Sequence, residues 1–277
     1  IPGLVETGFH TSDSIMRLDA LPERLGIIGG GYIACEMGHV FSALGSRVSM
    51  FNRSDRLLRT HDDDISTAFT AIFAERVDLH LRHMPTRVER RGEVIVIHCQ
   101  GEEIAVDELL VATGREPNSD LLDAESGGLT LHHHGAIVVD AHMRTGVEGV
   151  WAIGDIANQY QLKHVANAEA AVAFWNIAHP DDLREIDYRA VPAAVFTNPQ
   201  IAAVGLTERD ARAHGHDVVV GRRDYGGTAY GWALEDATSF AKVIVDRASG
   251  LIVGAHIMGP QAASLIQPLI QAIQFGQ

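Results

Sequence analysis

The sequence predicts an α/β protein that gives way to an α+β region, and three observations predict it. An apolar strand pattern runs through a glycine turn into a helix pattern over residues 24–45; strand and helix signals then keep alternating; and after Arg189 several strands follow with one closing helix. Arg24 to Ile28 is a short apolar run that enters Gly29-Gly30-Gly31. From Ile33 the apolar positions Met37, Val40, Phe41 and Leu44 recur at helical spacing, and Gly45 is placed to stop the helix. Val48 to Phe51 reads as a second strand. Asp62-Asp63-Asp64 then precede Ile65 to Phe73, with carboxylates where a helix N-terminus favours negative charge. Val77 to Val111 reads as short strands with hairpin punctuation, among them Glu93 to Cys99 and Glu108 to Val111.

Pro117-Asn118 and Gly127-Gly128 mark a change of rhythm. Beyond them Ala136 to Val139 and Val150 to Ile153 are expected strands, and Val165 to Ala178 an alanine-rich helix broken by Pro180-Asp181-Asp182. The last region carries expected strands at Val191 to Phe196, Ile201 to Val204, Phe240 to Val245 and Leu251 to Met258. A closing helix has Ala262, Leu265, Ile266, Leu269, Ile270 and Ile273 on one stripe.

A length of 277 residues corresponds to two or three domains. The net charge of −14 sets nucleic acid and anionic membrane surfaces aside as partners, because phosphate backbones repel an acidic chain that lacks a basic patch. No apolar stretch approaches the roughly 20 residues of a spanning helix and no basic leader precedes an apolar run, so a cytoplasmic protein is expected. Cys35 and Cys99 form neither a CxxC pair nor a metal-ligand cluster, and both read as packed thiols. His132-His133-His134 reads as a polar turn and His61 as part of a helix start, so no metal site is expected. The chain opens at Ile1-Pro2-Gly3 and stops within an apolar periodic segment at Phe275-Gly276-Gln277, as a fragment would.

The most informative motif is Gly26-Ile-Ile-Gly29-Gly30-Gly31-Tyr32-Ile33-Ala34, a GxGxxA pattern between a predicted strand and a predicted helix. Gly29 and Gly31 allow a tight turn and close approach of a diphosphate to the helix N-terminus, a Rossmann-like arrangement. A structural glycine turn is the alternative. An NAD site would place an acidic residue at the end of the second strand, but Ser49-Met50-Phe51-Asn52-Arg53 has none. Arg53, Arg56 and Arg59 follow instead, and guanidinium groups suit the 2′-phosphate of NADPH. The competing reading is a solvated loop in which Asp55 neutralises one arginine. Further on, Val150 to Asp155 ends an apolar run in Gly-Asp, which puts a carboxylate just past a strand, as a ligand acceptor or as a turn cap.

Taken in order, Gly26 to Glu36, Leu110-Val-Ala-Thr-Gly114-Arg-Glu-Pro117-Asn118, Val150 to Asp155 and Val191 to Glu208 resemble the pyridine-nucleotide disulfide oxidoreductases. Leu162 to Glu169, Asp224 to Asp236 and His256 to Pro268 resemble the branch of that family that reduces mycothiol disulfide. Lys163-His164 stands where other branches have Thr-Pro, and Asn198 where relatives often carry His.

The resemblance implies a Rossmann-like NADPH domain, the remainder of a Rossmann-like FAD domain and a C-terminal α+β dimerisation domain. It assigns residues 1–6 and 117–187 to the FAD domain, 7–116 to the NAD(P)H domain and 188–277 to a truncated interface domain. Gly29, Gly31 and Ala34 would bind the NADPH diphosphate, Arg53 and Arg59 its 2′-phosphate, and Ile33 and Gly114 would also belong to the cofactor-binding residues. Tyr32 would be the aromatic gate over the flavin, with a packed aromatic at a helix start as the alternative. Glu36 would pair with a lysine outside this chain, and Asp155 would hold the ribityl chain of FAD. Lys163, His164 and Val165 would present backbone N–H groups to the flavin.

The implied protein is a cytoplasmic homodimeric reductase, dependent on NADPH and FAD, acting on a small-molecule disulfide, that of mycothiol. No catalytic residue is expected within this chain, because the redox cysteine pair and the C-terminal His base of the family fall outside it. Another flavin reductase such as a dihydrolipoamide dehydrogenase, or a non-catalytic nucleotide-binding or dimerisation remnant, stays open.

Overall fold

The apolar run Arg24–Ile28 forms strand β1, which sits inside a parallel sheet and is buried from Leu25 onward. Burial on both faces is why it reads as a continuous apolar run and not as an alternating one. The computed structural model describes residues 1–277, which divide into two units, residues 1–114 with 192–277 and residues 115–191. Helices α1 (Leu4–Thr7) and α2 (Ser12–Ile15) precede β1. After it, α3 (Tyr32–Leu44) crosses to β2 (Arg47–Asn52), and α4 (Asp63–Phe73) crosses to β3 (Asp78–Leu81). With β7 (Glu108–Val111) these strands make a parallel sheet in the order β3-β2-β1-β7. Between β3 and β7 lies an antiparallel sheet of β4 (Arg87–Arg91), β5 (Val94–Cys99) and β6 (Glu102–Val106).

Helix α3 occupies the predicted span, and of the predicted stripe Phe41 is buried and Met37 packs on the core, but the inner face is shifted toward small residues. Ala34, Cys35, Gly38 and Phe41 are buried, while Val40 and Leu44 are exposed. Small residues let the helix approach the sheet closely, so they define its inner face more than the larger apolar ones do. The acidic run before α4 behaves as its composition suggests: Asp62 is the N-cap and accepts the Asp64 N–H at 3.2 Å, with Asp63 and Asp64 in the first turn.

In residues 115–191, the strands expected at Ala136 to Val139 and Val150 to Ile153 do not form ladders. Each contributes one isolated bridge, Leu131 with Ile137 and Arg144 with Trp151. Their backbone donors go singly to scattered carbonyls instead, Ile137 to Ile156, Val138 to Thr130, Val150 to Val147 and Ala152 to Met143, while Asp140 Oδ1 holds the turn between them by accepting from the N–H groups of His142 and Arg144. The long helix here is α5 (Lys163–Ala178), whose buried positions include the polar residues Glu169 and Asn176.

The C-terminal region holds β8 (Pro192–Val195), β9 (Ile201–Gly205), α6 (Glu208–Ala213), β10 (Val218–Asp224) and α7 (Ala229–Ala233). It continues with β11 (Phe240–Asp246), β12 (Ile252–Met258), α8 (Ala262–Leu265) and α9 (Gln267–Gln274). The five strands form an antiparallel sheet ordered β10-β11-β12-β9-β8. Strand β10 was not expected from the sequence; it is an edge strand exposed from Val219 to Asp224, so burial imposes no apolar pattern on it. The closing helix is two helices. Pro268 cannot donate a backbone hydrogen bond and sits in the first turn of α9, where that loss costs nothing, so the chain breaks at Ile266.

One core runs through the first unit. Ile27, Met50, Phe69 and Phe73 of the parallel-sheet lobe pack in the same cluster as Val195, Ile201, Phe240 and Met258 of the C-terminal lobe.

Candidate functional site

The turn from β1 into α3 has the geometry that the glycine motif requires. Gly29 has φ 141°, and a Cβ built on it would lie 2.3 Å from the Ala112 carbonyl oxygen, so only glycine lets β7 approach here. Its N–H donates to the Phe51 carbonyl at 2.9 Å. Gly31 is the N-cap of α3 and contributes no side-chain cap. A Cβ on Gly31 would meet nothing within 4 Å, so the chain itself does not fill the space at this helix start. Ala34 is buried beneath the turn, Ile33 is half-buried and Tyr32 is exposed beside it. The residues present therefore fit an anionic group: backbone N–H groups at a helix N-terminus with open space before them.

The arginine loop is tied to that turn. Asn52 ends β2, its side chain lies against Gly30, and its amide donates to the Arg56 carbonyl at 2.9 Å. A carboxylate at this position would repel that carbonyl, which accounts for the missing acidic residue in terms of the loop itself. The Leu58 N–H reaches back to the Gly30 carbonyl at 2.8 Å. Among the three arginines, Arg56 is engaged with Asp63 at 2.7 Å, whereas Arg53 and Arg59 are exposed and make no ion pair within the chain. Asp55 faces Arg82 at 3.5 Å and is not the partner of Arg53.

Glu36 projects from α3 and accepts the Phe196 N–H at 2.8 Å, which ties the nucleotide-turn helix to the C-terminal lobe. Cys35, beside it, is buried, and burial together with the Glu36 charge pushes its thiol well up, away from the thiolate form. Cys99 is also free and buried, in a separate core cluster from Cys35.

In the second unit, Asp155 lies in a 3₁₀ turn, Gly154–Ile156, and pairs with Arg115 at 2.6 Å. That turn packs on the start of α5: a Cβ on Gly154 would lie 3.4 Å from the Ala166 Cβ. Lys163, His164 and Val165 form the first turn of α5, and the N-cap Leu162 offers no side-chain acceptor. Asp155 and the helix start are thus neighbours. Gly114 ends the first unit, and no atom of the chain lies within 4 Å of a Cβ placed on it.

Two buried groups went unnoticed as positioning residues in the sequence. Glu169, fully buried on α5, accepts from the Gly154 N–H at 2.6 Å, from Asn158 at 3.0 Å and from the Tyr188 hydroxyl at 2.5 Å, and so holds the turn that carries Asp155. Lys242, on β11, donates to Asp62 at 2.8 Å and Asp64 at 2.7 Å and pairs with Glu208 at 2.9 Å. A lysine flanked by apolar residues in Phe240–Asp246 is the available signal for the second. No local signal marks the first.

Glu89, His98 and Glu103 gather on the antiparallel sheet, but Arg91 pairs with both carboxylates there. In the turn at His132, His133 and His134, the His132 ring stacks on His134 and the His133 ring meets His134 edge-on.

A lobe with a parallel sheet and a glycine turn, a helix-capped Gly-Asp turn and a five-stranded C-terminal sheet define the class. A model of the pyridine nucleotide-disulphide oxidoreductases matches residues 1–170, and a model of that family's dimerisation domain matches residues 191–277. The chain belongs to this family. It is 49% identical to mycothione reductase of Mycobacterium tuberculosis, over 99% of this chain and 61% of the relative. It is 36% identical to mercuric reductase of Staphylococcus aureus, over 100% of this chain and 51% of the relative. The HOCl-induced flavoprotein disulfide reductase RclA from Escherichia coli superposes with a TM-score of 0.89 at 29% identity, over 99% of this chain and 64% of that one. The chain thus spans about half to two thirds of the length of these relatives. No helix is long and apolar enough to cross a membrane.

Proposed function

We propose that this chain carries the coenzyme-binding domain and part of the dimerisation domain of an NADPH- and FAD-dependent reductase of a low-molecular-weight disulfide, the disulfide of mycothiol. The observation that carries the reading is the open helix start at Gly31 joined through Leu58 to a loop with two unpaired arginines, Arg53 and Arg59. The 49% identity to a mycothione reductase supports the substrate.

In this reading residues 7–116 bind NADPH. The turn at Gly29 and Gly31 receives the diphosphate, with Ile33 and Ala34 seating the helix behind it, and the guanidinium groups of Arg53 and Arg59 hold the 2′-phosphate. Tyr32 covers the face of the site, and Gly114 leaves room where the chain exits β7. Residues 1–6 and 117–187 belong to the FAD domain in this reading, and the flavin contacts within this chain fall in 117–187. Bound FAD supplies two-electron redox chemistry. Asp155 accepts a hydrogen bond from a ribityl hydroxyl, and the first turn of α5 at Lys163, His164 and Val165 offers N–H groups and a positive dipole end to negative charge. Residues 188–277 pair two copies of the protein, in line with the matched dimerisation domain. Exposed Leu265 and Phe275 offer apolar surface for that contact. Cys35 and Cys99, buried and protonated, take no part in disulfide exchange.

The test uses the full-length enzyme that contains this chain. Yellow protein that oxidises NADPH only when mycothiol disulfide is supplied is the expected result. Turnover of dihydrolipoamide without turnover of mycothiol disulfide would move the chain to the lipoamide branch, and colourless protein inert to NADPH would reduce it to a binding remnant. Arg53→Ala and Arg59→Ala are expected to weaken NADPH about tenfold or more and leave NADH nearly unchanged; equal losses for both coenzymes would remove the 2′-phosphate assignment.

A further inference from the structure

Arg209, on α6 of the C-terminal lobe, and Arg56, on the loop after β2, bind the same oxygen. Arg209 Nη1 and Arg56 Nη2 each lie 2.7 Å from Asp63 Oδ1. Next to this bridge is a cavity of about 450 Å³ lined by Ser54, Asp55, Arg56, Arg59, Thr60 and Arg209. Three of its six walls are guanidinium groups, and its single carboxylate, Asp55, faces Arg82. A guanidinium carries five N–H donors, so one bond to Asp63 leaves Arg56 and Arg209 most of theirs. Arg209 has one other carboxylate nearby, Asp210 at 3.8 Å, beyond hydrogen-bond range. Forked donors from three directions, with the hydroxyls of Ser54 and Thr60 beside them, suit a phosphomonoester dianion.

We infer that Arg209 is a specificity-determining residue for the 2′-phosphate of NADPH, supplied to the coenzyme site by the C-terminal lobe, and that Asp63 is the anion with which that phosphate competes. The inference rests on the proposed coenzyme reading of Arg53 and Arg59 and extends it to a residue about 150 positions further along the chain. Asp63 holds Arg56 and Arg209 together while no phosphate is present. A dianion that arrives draws on the donors Asp63 leaves unused, and Asp63 opposes it at short range.

Titration of 2′,5′-ADP and of 5′-AMP into the full-length enzyme, followed by calorimetry, separates the outcomes without reference to turnover. Arg209→Ala is expected to weaken 2′,5′-ADP about tenfold and to change 5′-AMP less than twofold, the loss of one charge-assisted contact at a partly exposed site. Arg209→Lys, which keeps the charge and loses the fork, falls between. Asp63→Asn is expected to tighten 2′,5′-ADP severalfold, a change of opposite sign that general unfolding cannot imitate. If Arg209→Ala and Arg209→Lys leave 2′,5′-ADP unchanged, or weaken both ligands equally, while Arg59→Ala weakens 2′,5′-ADP alone, the inference is wrong and the coenzyme reading stands. If Arg53→Ala and Arg59→Ala also fail to separate the two ligands, the coenzyme reading is wrong and takes the inference with it.

Discussion

The Lys242 ammonium lies 2.8 Å from Asp62 Oδ1, and both side chains are almost wholly buried, at 2% and 1% exposure. Asp64 and Glu208 complete its three carboxylate partners, and the second Asp62 oxygen accepts the Glu208 N–H at 3.1 Å. Burial works against both charges. For Asp62 it is outweighed by the Lys242 hydrogen bond, the Glu208 amide and nearby positive charge, which hold the carboxyl below its ordinary range; for Lys242 it is outweighed by the three carboxylates, which raise the ammonium. The cluster joins the N-cap of α4, in the coenzyme lobe, to β11 and α6 of the C-terminal lobe.

Removing one partner from this cluster leaves a buried charge without compensation. Lys242→Met is expected to destabilise the protein by about 3–5 kcal/mol, and Lys242→Met with Asp62→Asn, which removes the buried charge and keeps an acceptor for the Asp64 and Glu208 N–H groups, to recover part of that loss. Urea unfolding of the two variants checks it; a single variant within about 1 kcal/mol of the parent would mean that the ion pair is already well hydrated.

Acid should weaken the fold in two separate windows. Burial, then the His256 charge, lowers His61 to about 4, so between pH 6.5 and about 4 the unfolded chain takes up the proton first and stability falls as pH falls, by up to about 1.4 kcal/mol per pH unit. Asp62 is depressed in the folded chain, so its contribution is complete above the ordinary carboxylate range and is lost only as pH drops through its lowered value. Melting temperatures from pH 7.5 to 4.5 should show the first decline in the parent and a flatter curve in His61→Gln; parallel curves would discard the role given to His61.

The two glycines of the turn should respond differently to alanine. Gly29→Ala places a Cβ 2.3 Å from the Ala112 carbonyl at φ 141° and is expected to lower stability by more than about 2 kcal/mol. Gly31→Ala meets no atom of its surroundings within 4 Å, so its melting temperature should stay near that of the parent while binding of NADPH is lost. Tight binding retained by a well-folded Gly31→Ala protein would place the diphosphate elsewhere.

Tyr188 reports on the buried carboxylate of Glu169. Burial first, then the hydrogen bond and charge of Glu169, raise the phenol well above its ordinary value. In Glu169→Gln the charge is gone, and absorbance titration near 295 nm should show one tyrosine ionising at lower pH. The same variant loses the charged acceptor for the Gly154 N–H, at a cost of about 1–3 kcal/mol. An unchanged tyrosine titration would show that the contact is absent in solution.

Legibility followed the range of the interaction. Strands β1 and β7 were readable to the residue and helix α4 to within two residues, because a buried parallel strand and an acid-capped helix each leave a local pattern. The turn at Gly29 and Gly31 was readable for the same reason. Ala136 to Val139 and Val150 to Ile153 misled because short apolar runs carry no information about whether a pairing strand exists. β10 was missed because an exposed edge strand needs no apolar alternation.

What the sequence determined by itself is the class of fold, the glycine turn and the run of arginines after β2, since backbone conformation and side-chain chemistry at neighbouring positions are local properties. Only the tertiary structure decided which of those arginines are free, that Arg209 shares Asp63 with Arg56, and that Lys242 meets Asp62 across a separation of 180 residues. Partners that distant in the chain are chosen by the packing of two lobes on one core, and charge compensation in a buried site depends on what that packing brings within hydrogen-bond reach.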